Sequence, residues 1–187
     1  MRVKIVFLLT MQQEVMIRDA EVADAVALLG IYAPYVTDTA VTFEYDVPTQ
    51  EEFERRVSSI SARYPYLVAV LGGEIVGYAY AAEFKNRAAY QWAVETSIYL
   101  RGDVQRRGIG AQLYEALEQR LRQQGILNMN ACISYPVAEC DPYLTLQSVR
   151  FHERMGFVLV AHFHKCGLKF GRWYDMVWME RLIGKHE

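Results

Sequence analysis

Residues Ser97 to Ala111 read S-I-Y-L-R-G-D-V-Q-R-R-G-I-G-A, an alternating strand that runs into a basic, glycine-containing turn and then opens a helix. Such a turn points several backbone N–H groups, backed by the helix dipole, at one place, and glycines let an anion approach the backbone closely. Arg106 and Arg107 add full positive charge. A phosphate or pyrophosphate ligand is the physical reading. This segment alone leaves an ordinary strand-to-helix connection open.

Elements alternate on both sides of this segment. Met16 to Arg18 reads as a first strand, and Ala23, Val26, Ala27 and Ile31 recur at helical spacing until Pro34, which is expected to end that helix. Thr49 with Glu52 reads as a capping box for a helix through Phe53, Val57 and Ile60, ended by Pro65. Tyr66 to Leu71 and Ile75 to Ala82 are β-rich runs joined by Gly72-Gly73, which supplies the positive φ angles of a tight hairpin. A long strand is predicted from about Ala89 to Leu100, with Val94, Thr96, Ile98 and Leu100 on one face and Glu95, Ser97 and Tyr99 on the other.

Gly108 to Gln124 reads as a helix with Leu113, Leu117 and Leu121 on one stripe, Glu118 and Arg122 as an i,i+4 pair, and Gly125 as the C-terminal stop. Ile126 to Ile133 is then a strand, Ser134 to Tyr143 a loop, and Leu146 to Met155 a helix ended by Gly156. Phe157 to Lys165 and Trp173 to Met179 are the last strands. The mixture predicts one α+β or α/β sheet domain over residues 16–187. Residues 1–15 read as an extension before it, with translation starting at Met11 or Met16 as an expectation.

With 52% hydrophobic and 22% charged residues, the 187-residue chain can bury a sizeable core. A formal charge of −2 supplies no global positive field for nucleic acid or anionic membranes. No segment has the length of apolar run that spans a bilayer. Cys132, Cys140 and Cys166 cannot all pair within one chain and lack paired C-x₂-C spacing, which points to a reducing, cytoplasmic setting. His162, His164 and Cys166 make an incomplete ligand set, so no metal is assigned.

The Walker pattern is absent, and Gly108-Ile109-Gly110 lacks the third glycine of the dinucleotide fingerprint. Gln105-Arg106-Arg107-Gly108-Ile109-Gly110 instead matches Q/R-x-x-G-x-G/A, and here the chain resembles the GNAT superfamily of N-acetyltransferases, whose acetyl-CoA pyrophosphate loop has this form. The resemblance runs from Met16 to Arg181 and is closest to the phosphinothricin and methionine sulfoximine branch. It is carried also by Val41 to Glu44, Lys85 to Trp92, Glu95 to Leu100, Ser148 to Glu153, Met155 to Phe157 and Gly167 to Trp173. It implies an α/β/α fold with a single mixed, mostly antiparallel sheet of about seven strands, splayed in the middle and flanked by helices.

The activity it implies is acetyl transfer from acetyl-CoA to the α-amine of a small amino acid or analogue, by direct attack in a ternary complex. An α-ammonium group is mostly protonated at neutral pH, so the chemistry needs a base, a held carbonyl and a protonated thiolate leaving group. Glu95 matches the base, and His152 the position that protonates the departing thiolate, with a packing role as the alternative. Backbone at Ile98 and Leu100 would pair with the pantetheine arm, the amides from Gln105 to Gly110 would hold the pyrophosphate, and Ser148 belongs to the same cofactor-binding set. Arg87 and Tyr90, with Lys85 nearby, match the positions that hold the substrate's anionic groups. Phe43 and Glu44 match the loop that covers the site.

Cys132 beside the acetyl site raises an acetyl-cysteine route, but no adjacent base supports it and a buried core thiol is the expected role. Thr145 stands where the family usually has asparagine, and the loop from Tyr135 to Tyr143 is longer than usual. The implied assembly is a homodimer, with the aromatic C-terminal strand as a source of its interface. Two other readings remain open: a protein N-terminus, lysine or polyamine as acceptor, or a catalytically weak acyl-CoA-binding module.

Overall fold

Gly72 and Gly73, with φ of 61° and 87°, turn β2 (Tyr66–Leu71) directly into β3 (Glu74–Glu83), as the Gly-Gly pair predicts. The computed structural model describes residues 14–187. Most of the expected extension over residues 1–15 therefore lies outside the described residues. Around the hairpin come β1 (Met16–Asp19), α1 (Ala25–Thr37) and α2 (Gln50–Ser61) before it, and β4 (Ala93–Leu100), α3 (Ile109–Gln123), β5 (Asn128–Tyr135), α4 (Gln147–Arg154), β6 (Val158–Lys169) and β7 (Arg172–Leu182) after it.

The strands form one seven-stranded sheet in the order β1-β2-β3-β4-β5-β7-β6. All neighbours run antiparallel except β4 and β5, which are parallel. These two pair only from Ala93–Glu95 to Asn128–Asn130 and then part. Beyond that point each strand keeps a free edge facing the other, and the sheet is splayed in its middle.

Helices cover both faces. Leu28, Ile31 and Tyr32 of α1 and Phe53 and Val57 of α2 pack on Tyr66, Val68 and Tyr78. On the other face Leu113, Leu117 and Leu121 of α3 are fully buried against β2, β3, β4 and β5, and complete burial of each such side chain contributes about 1.5–3 kcal/mol. Glu118 ties α3 to the last strand: it pairs with Arg122 at 2.7 Å and with Arg181 at 2.9 Å. Gly125, at φ 78°, ends this helix as expected.

Two elements depart from the local pattern. Helix α1 runs past Pro34 to Thr37. Pro34 and Gly30 both lie on its exposed side, where the Gly30 carbonyl that loses its partner can meet water, while Val36 is buried. Of the predicted stripe on α1 only Ile31 is buried: Val26 is 59% exposed, and Ala25 and Leu28 are buried in its place. The helix is apolar on nearly all sides, so periodicity cannot single out a face. The strand expected from Ala89 begins at Ala93, because Ala88–Tyr90 form a single 3₁₀ turn. Among the described residues no helix is long and apolar enough to cross a membrane.

Candidate active site

The turn between β4 and α3 has the backbone geometry of an anion cradle. Gln105 is extended (φ −61°, ψ 154°), Arg106 is left-handed at φ 62°, and Gly108 is left-handed at φ 82° and ψ −6°. Left-handed residues interspersed in a turn aim successive N–H groups at a common concavity. The helix N-terminus at Ile109 adds its partial positive charge there. Arg106 and Arg107 are exposed and enter no ion pair among the described residues. A side chain at Gly110 would press 3.2 Å from the Phe151 ring and 3.4 Å from Leu100, so glycine lets α3 seat closely against β4. This set fits a pyrophosphate.

Strand β4 presents its free edge beside this cradle. The N–H of Arg101 goes to Val76 of β3, and alternation along a strand then turns the backbone groups of Leu100 and Ile98 toward the splay. Those of Leu100 are already engaged: its carbonyl accepts from the Tyr35 hydroxyl at 2.6 Å and its N–H donates to the same oxygen at 3.3 Å. Gln105 donates to Tyr35 as well, at 3.2 Å. Tyr35, which no sequence pattern singled out, therefore holds together two of the expected cofactor-binding positions.

A narrow cleft opens at the splay, lined by Thr96, Ile98, Tyr114, Cys132, Ser148 and His152 among others. His152 is 3% exposed, and burial pulls its imidazole down to about 4, so the ring is neutral at pH 7. Its Nδ1–H donates to the Ser148 carbonyl at 2.8 Å, which leaves Nε2 to accept from the Tyr114 hydroxyl at 2.9 Å. The Tyr114 oxygen also lies 3.3 Å from Thr96 Oγ1. Sequence reasoning missed Tyr114 because its position on α3 looks like core. Thr145, in place of the family's asparagine, accepts from the Gln147 amide at 3.3 Å and so supports the start of α4. A wider depression beside Arg18, Asp24, Glu74 and Arg101 lies away from the splay, and its charged groups are already paired with one another or with Asp103.

On the opposite face of β4 stands Glu95. Burial raises its carboxyl pKa, with the Lys85 charge opposing. The Lys85 ammonium lies 5.0 Å from the Phe84 ring centre and 5.2 Å from that of Trp178, and Phe84 packs edge-on against Tyr90. Arg87 opens the 3₁₀ turn that carries Tyr90 and is exposed. Lys85, Arg87 and Tyr90 thus gather on one rim. Glu44 pairs with Arg56 at 2.9 Å, yet its second carboxylate oxygen is buried with no hydrogen-bond partner. Burial raises the Tyr80 hydroxyl, and the charges of both Glu95 and Glu44 push it further in the same direction. Tyr80 therefore feels the charge of both acids.

Phe43 packs against Gly167, where an added Cβ would come within 2.4 Å of its ring. Lys169, almost fully buried, donates to the Thr42 carbonyl at 2.7 Å and holds the same loop. Only tertiary contact reveals Tyr80 and Lys169 as neighbours of the site. Cys132 is exposed toward this region, not buried in the core as expected. Its crowded surroundings and the Glu95 charge push its thiol up to about 12, which makes it a poor nucleophile.

A carboxylate on one face of a splayed strand, a turn with the geometry of an anion cradle at its end and a strand edge between them are parts that acyl transfer requires. Comparison with known proteins agrees. The family model of the acetyltransferase (GNAT) domain matches residues 17–178. A phosphinothricin N-acetyltransferase of Streptomyces viridochromogenes is 34% identical over 170 residues, covering 91% of this chain and 88% of that protein. An L-methionine sulfoximine/L-methionine sulfone acetyltransferase of Pseudomonas paraeruginosa is 35% identical over 169 residues, covering 88% and 92%. The crystal structure of a Sinorhizobium meliloti phosphinothricin acetyltransferase in complex with AcCoA superposes with a TM-score of 0.81 at 36% identity, covering 91% of this chain and 89% of that one. The chain belongs to the GNAT acetyltransferase family and is an acetyl-CoA-dependent N-acetyltransferase.

Proposed function

We propose that the protein acetylates the α-amine of a small amino acid or analogue of the phosphinothricin, methionine sulfoximine or methionine sulfone type, by direct attack in a ternary complex. The observation that carries this reading is Glu95, a half-buried acid on the same face of β4 as Ser97 and Tyr99, which line the splay cleft together with Thr96 and His152. A base on one face and a thioester on the other leave the reacting atoms to meet at the splay. Acetyl-CoA supplies the activated acetyl group. The Gln105–Gly110 amides hold its pyrophosphate, and the β4 edge at Ile98 and Leu100, with Ser148 facing it, lines the path of its arm.

Glu95 takes the ammonium proton, and burial, which raises its pKa, makes it a stronger base than an ordinary carboxylate. Arg87, Lys85 and Tyr90 hold the acceptor's anionic groups, where the planar Arg87 fork can donate two hydrogen bonds to a carboxylate or phosphinate. Phe43 and Glu44 close the chamber. His152 is neutral and accepts from Tyr114, so its part is to hold that hydroxyl in place; as the thiolate departs, the Tyr114 proton turns from His152 Nε2 to the sulfur. The test is a free-thiol release assay with acetyl-CoA against L-phosphinothricin, methionine sulfoximine, methionine sulfone and ordinary amino acids. Saturable CoA release on the first three is the expected result; no turnover on any amino acid, with acetyl-CoA still bound, overturns the proposal.

A homodimer accompanies this reading. Val158, Leu159, Val160 and Phe163 on the edge strand β6, with Trp173 on β7, are each about half exposed, an apolar surface suited to a second copy. Sedimentation of Val160→Lys, expected as monomer where the unaltered chain is dimer, checks it. The three free, exposed thiols support a cytoplasmic location, which cell fractionation tests.

A further inference from the structure

The β6–β7 ladder loses register between Phe163 and Gly167, and Lys165 in that bulge is left-handed at φ 48°. The bulge turns His162 and His164 onto a single carboxylate. Asp175 Oδ2 accepts from His162 Nε2 at 2.7 Å and from His164 Nδ1 at 3.2 Å, while Oδ1 accepts from the Lys165 amide at 2.7 Å. One nitrogen of each ring and one carboxylate oxygen lie within 4.8 Å of one another. The Asp175 side chain is 10% exposed and that of His164 is 75% exposed, so the cluster is closed at its base and open to solvent at its mouth. Burial works against ionisation of Asp175, yet the Lys165 amide and the two imidazoles outweigh it and hold its carboxyl below the usual range.

We propose that His162, His164 and Asp175 form a three-ligand site for Zn²⁺ or a divalent transition ion of like preference, with solvent completing the shell. Imidazole nitrogen and carboxylate oxygen are the donors such ions take, at about 2.0–2.2 Å. Ligand atoms that far from a common tetrahedral centre stand roughly 3.3–3.5 Å apart, which small rotations of the two exposed rings achieve from the spacing seen. In the bound state each neutral ring carries its proton on the nitrogen away from the metal and gives the lone pair of the other nitrogen to the ion. The Lys165 amide keeps the carboxylate oriented, the part an outer-shell donor plays in metal sites. The His162 ring packs at a tilt against Tyr135, at 4.9 Å between centres, which supports the first ligand.

The site stands apart from acetyl transfer and does not depend on the identity of the acceptor. Its occupant would pin the β6 bulge to β7 just ahead of Gly167 and Lys169, the residues that back the loop at Thr42 and Phe43. Sequence spacing offers Cys166 as the third ligand; the fold supplies Asp175 instead, and the Cys166 thiol points to the Phe163 carbonyl at 3.7 Å.

The experiment is a Co²⁺ titration of the untagged, chelator-treated protein followed by visible absorption, with Zn²⁺ displacing the Co²⁺. One ion per chain is expected, with nitrogen and oxygen ligand bands, and a rise in melting temperature on adding Zn²⁺. His164→Ala, at an exposed position that leaves folding intact, and His162→Ala should each weaken binding at least about tenfold and remove the Zn²⁺-dependent rise. Unchanged affinity in both variants, a sulfur-to-cobalt charge-transfer band, or no binding in the micromolar range would each overturn the proposal.

Discussion

Glu95→Gln lowers kcat/KM for the acceptor amine by about 10²–10⁴, the range that a positioned general base contributes, while acetyl-CoA binding is retained. The amide preserves shape but cannot take the ammonium proton. In the unaltered enzyme the acid limb of the pH–rate profile lies above the ordinary carboxylate range, because burial raises the Glu95 pKa; the variant loses that limb. Stability moves the opposite way. A carboxyl whose folded pKa is raised contributes stability that is fully present below its unfolded pKa, about 4.3 for Glu, and is lost as pH rises through the folded value. At pH 7 the ionised Glu95 therefore costs stability, and Glu95→Gln melts at the same temperature or higher. Thermal melting beside steady-state kinetics separates this outcome from simple misfolding. A variant that keeps full turnover sinks the assignment of Glu95 as base.

Gly108→Val raises the KM for acetyl-CoA about five- to thirtyfold, since a left-handed backbone costs an L-residue roughly 1–2 kcal/mol and every 1.4 kcal/mol is tenfold in affinity. Nothing lies within 4 Å of a Cβ at Gly108, so the effect comes from backbone strain at φ 82° and not from a clash in the core. The strain is relieved by rotating the amides between Gln105 and Gly110 out of their common concavity. Gly73 provides the control. It too has a positive φ, 87°, and open space where a side chain would stand, but it lies in the β2–β3 hairpin. Gly73→Val should lower the melting temperature by a few degrees and leave the acetyl-CoA KM alone. Equal KM values in both variants and in the parent would show that the turn does not hold the pyrophosphate.

Local chemistry is legible along the chain. Gly72-Gly73 demands positive φ, Leu113, Leu117 and Leu121 mark a buried stripe, and Gln105 to Gly110 announce an anion cradle, because each is decided by neighbours a few residues apart. Alternation alone puts Glu95 on the face of β4 opposite Thr96, and Lys85, Arg87 and Tyr90 lie close enough in the chain to reach one rim. Where such rules fail, tertiary context overrides them. Pro34 does not end α1, because Val36 gains burial beyond it and the Gly30 carbonyl faces solvent.

Other features follow from register and packing, which sequence does not display. The Tyr35 hydroxyl meets Leu100, 65 residues away, only because α1 crosses the end of β4. The β3–β4 pairing sets Tyr80 opposite Ser97, within reach of the Glu95 charge, and Lys169 reaches Thr42 across 127 residues. His162 and His164 are visible as an alternating pair, but Asp175 joins them through a bulge on one strand and its register with another. By itself the sequence determined the hairpin, the helix stripe, the anion turn and the family of the chemistry, all properties of short-range spacing or of residue identity in order. The tertiary structure alone decided which acid is left with an unpaired oxygen, which hydroxyl occupies the strand edge and which carboxylate the two histidines share, because each depends on how far strands slide past one another before their side chains meet.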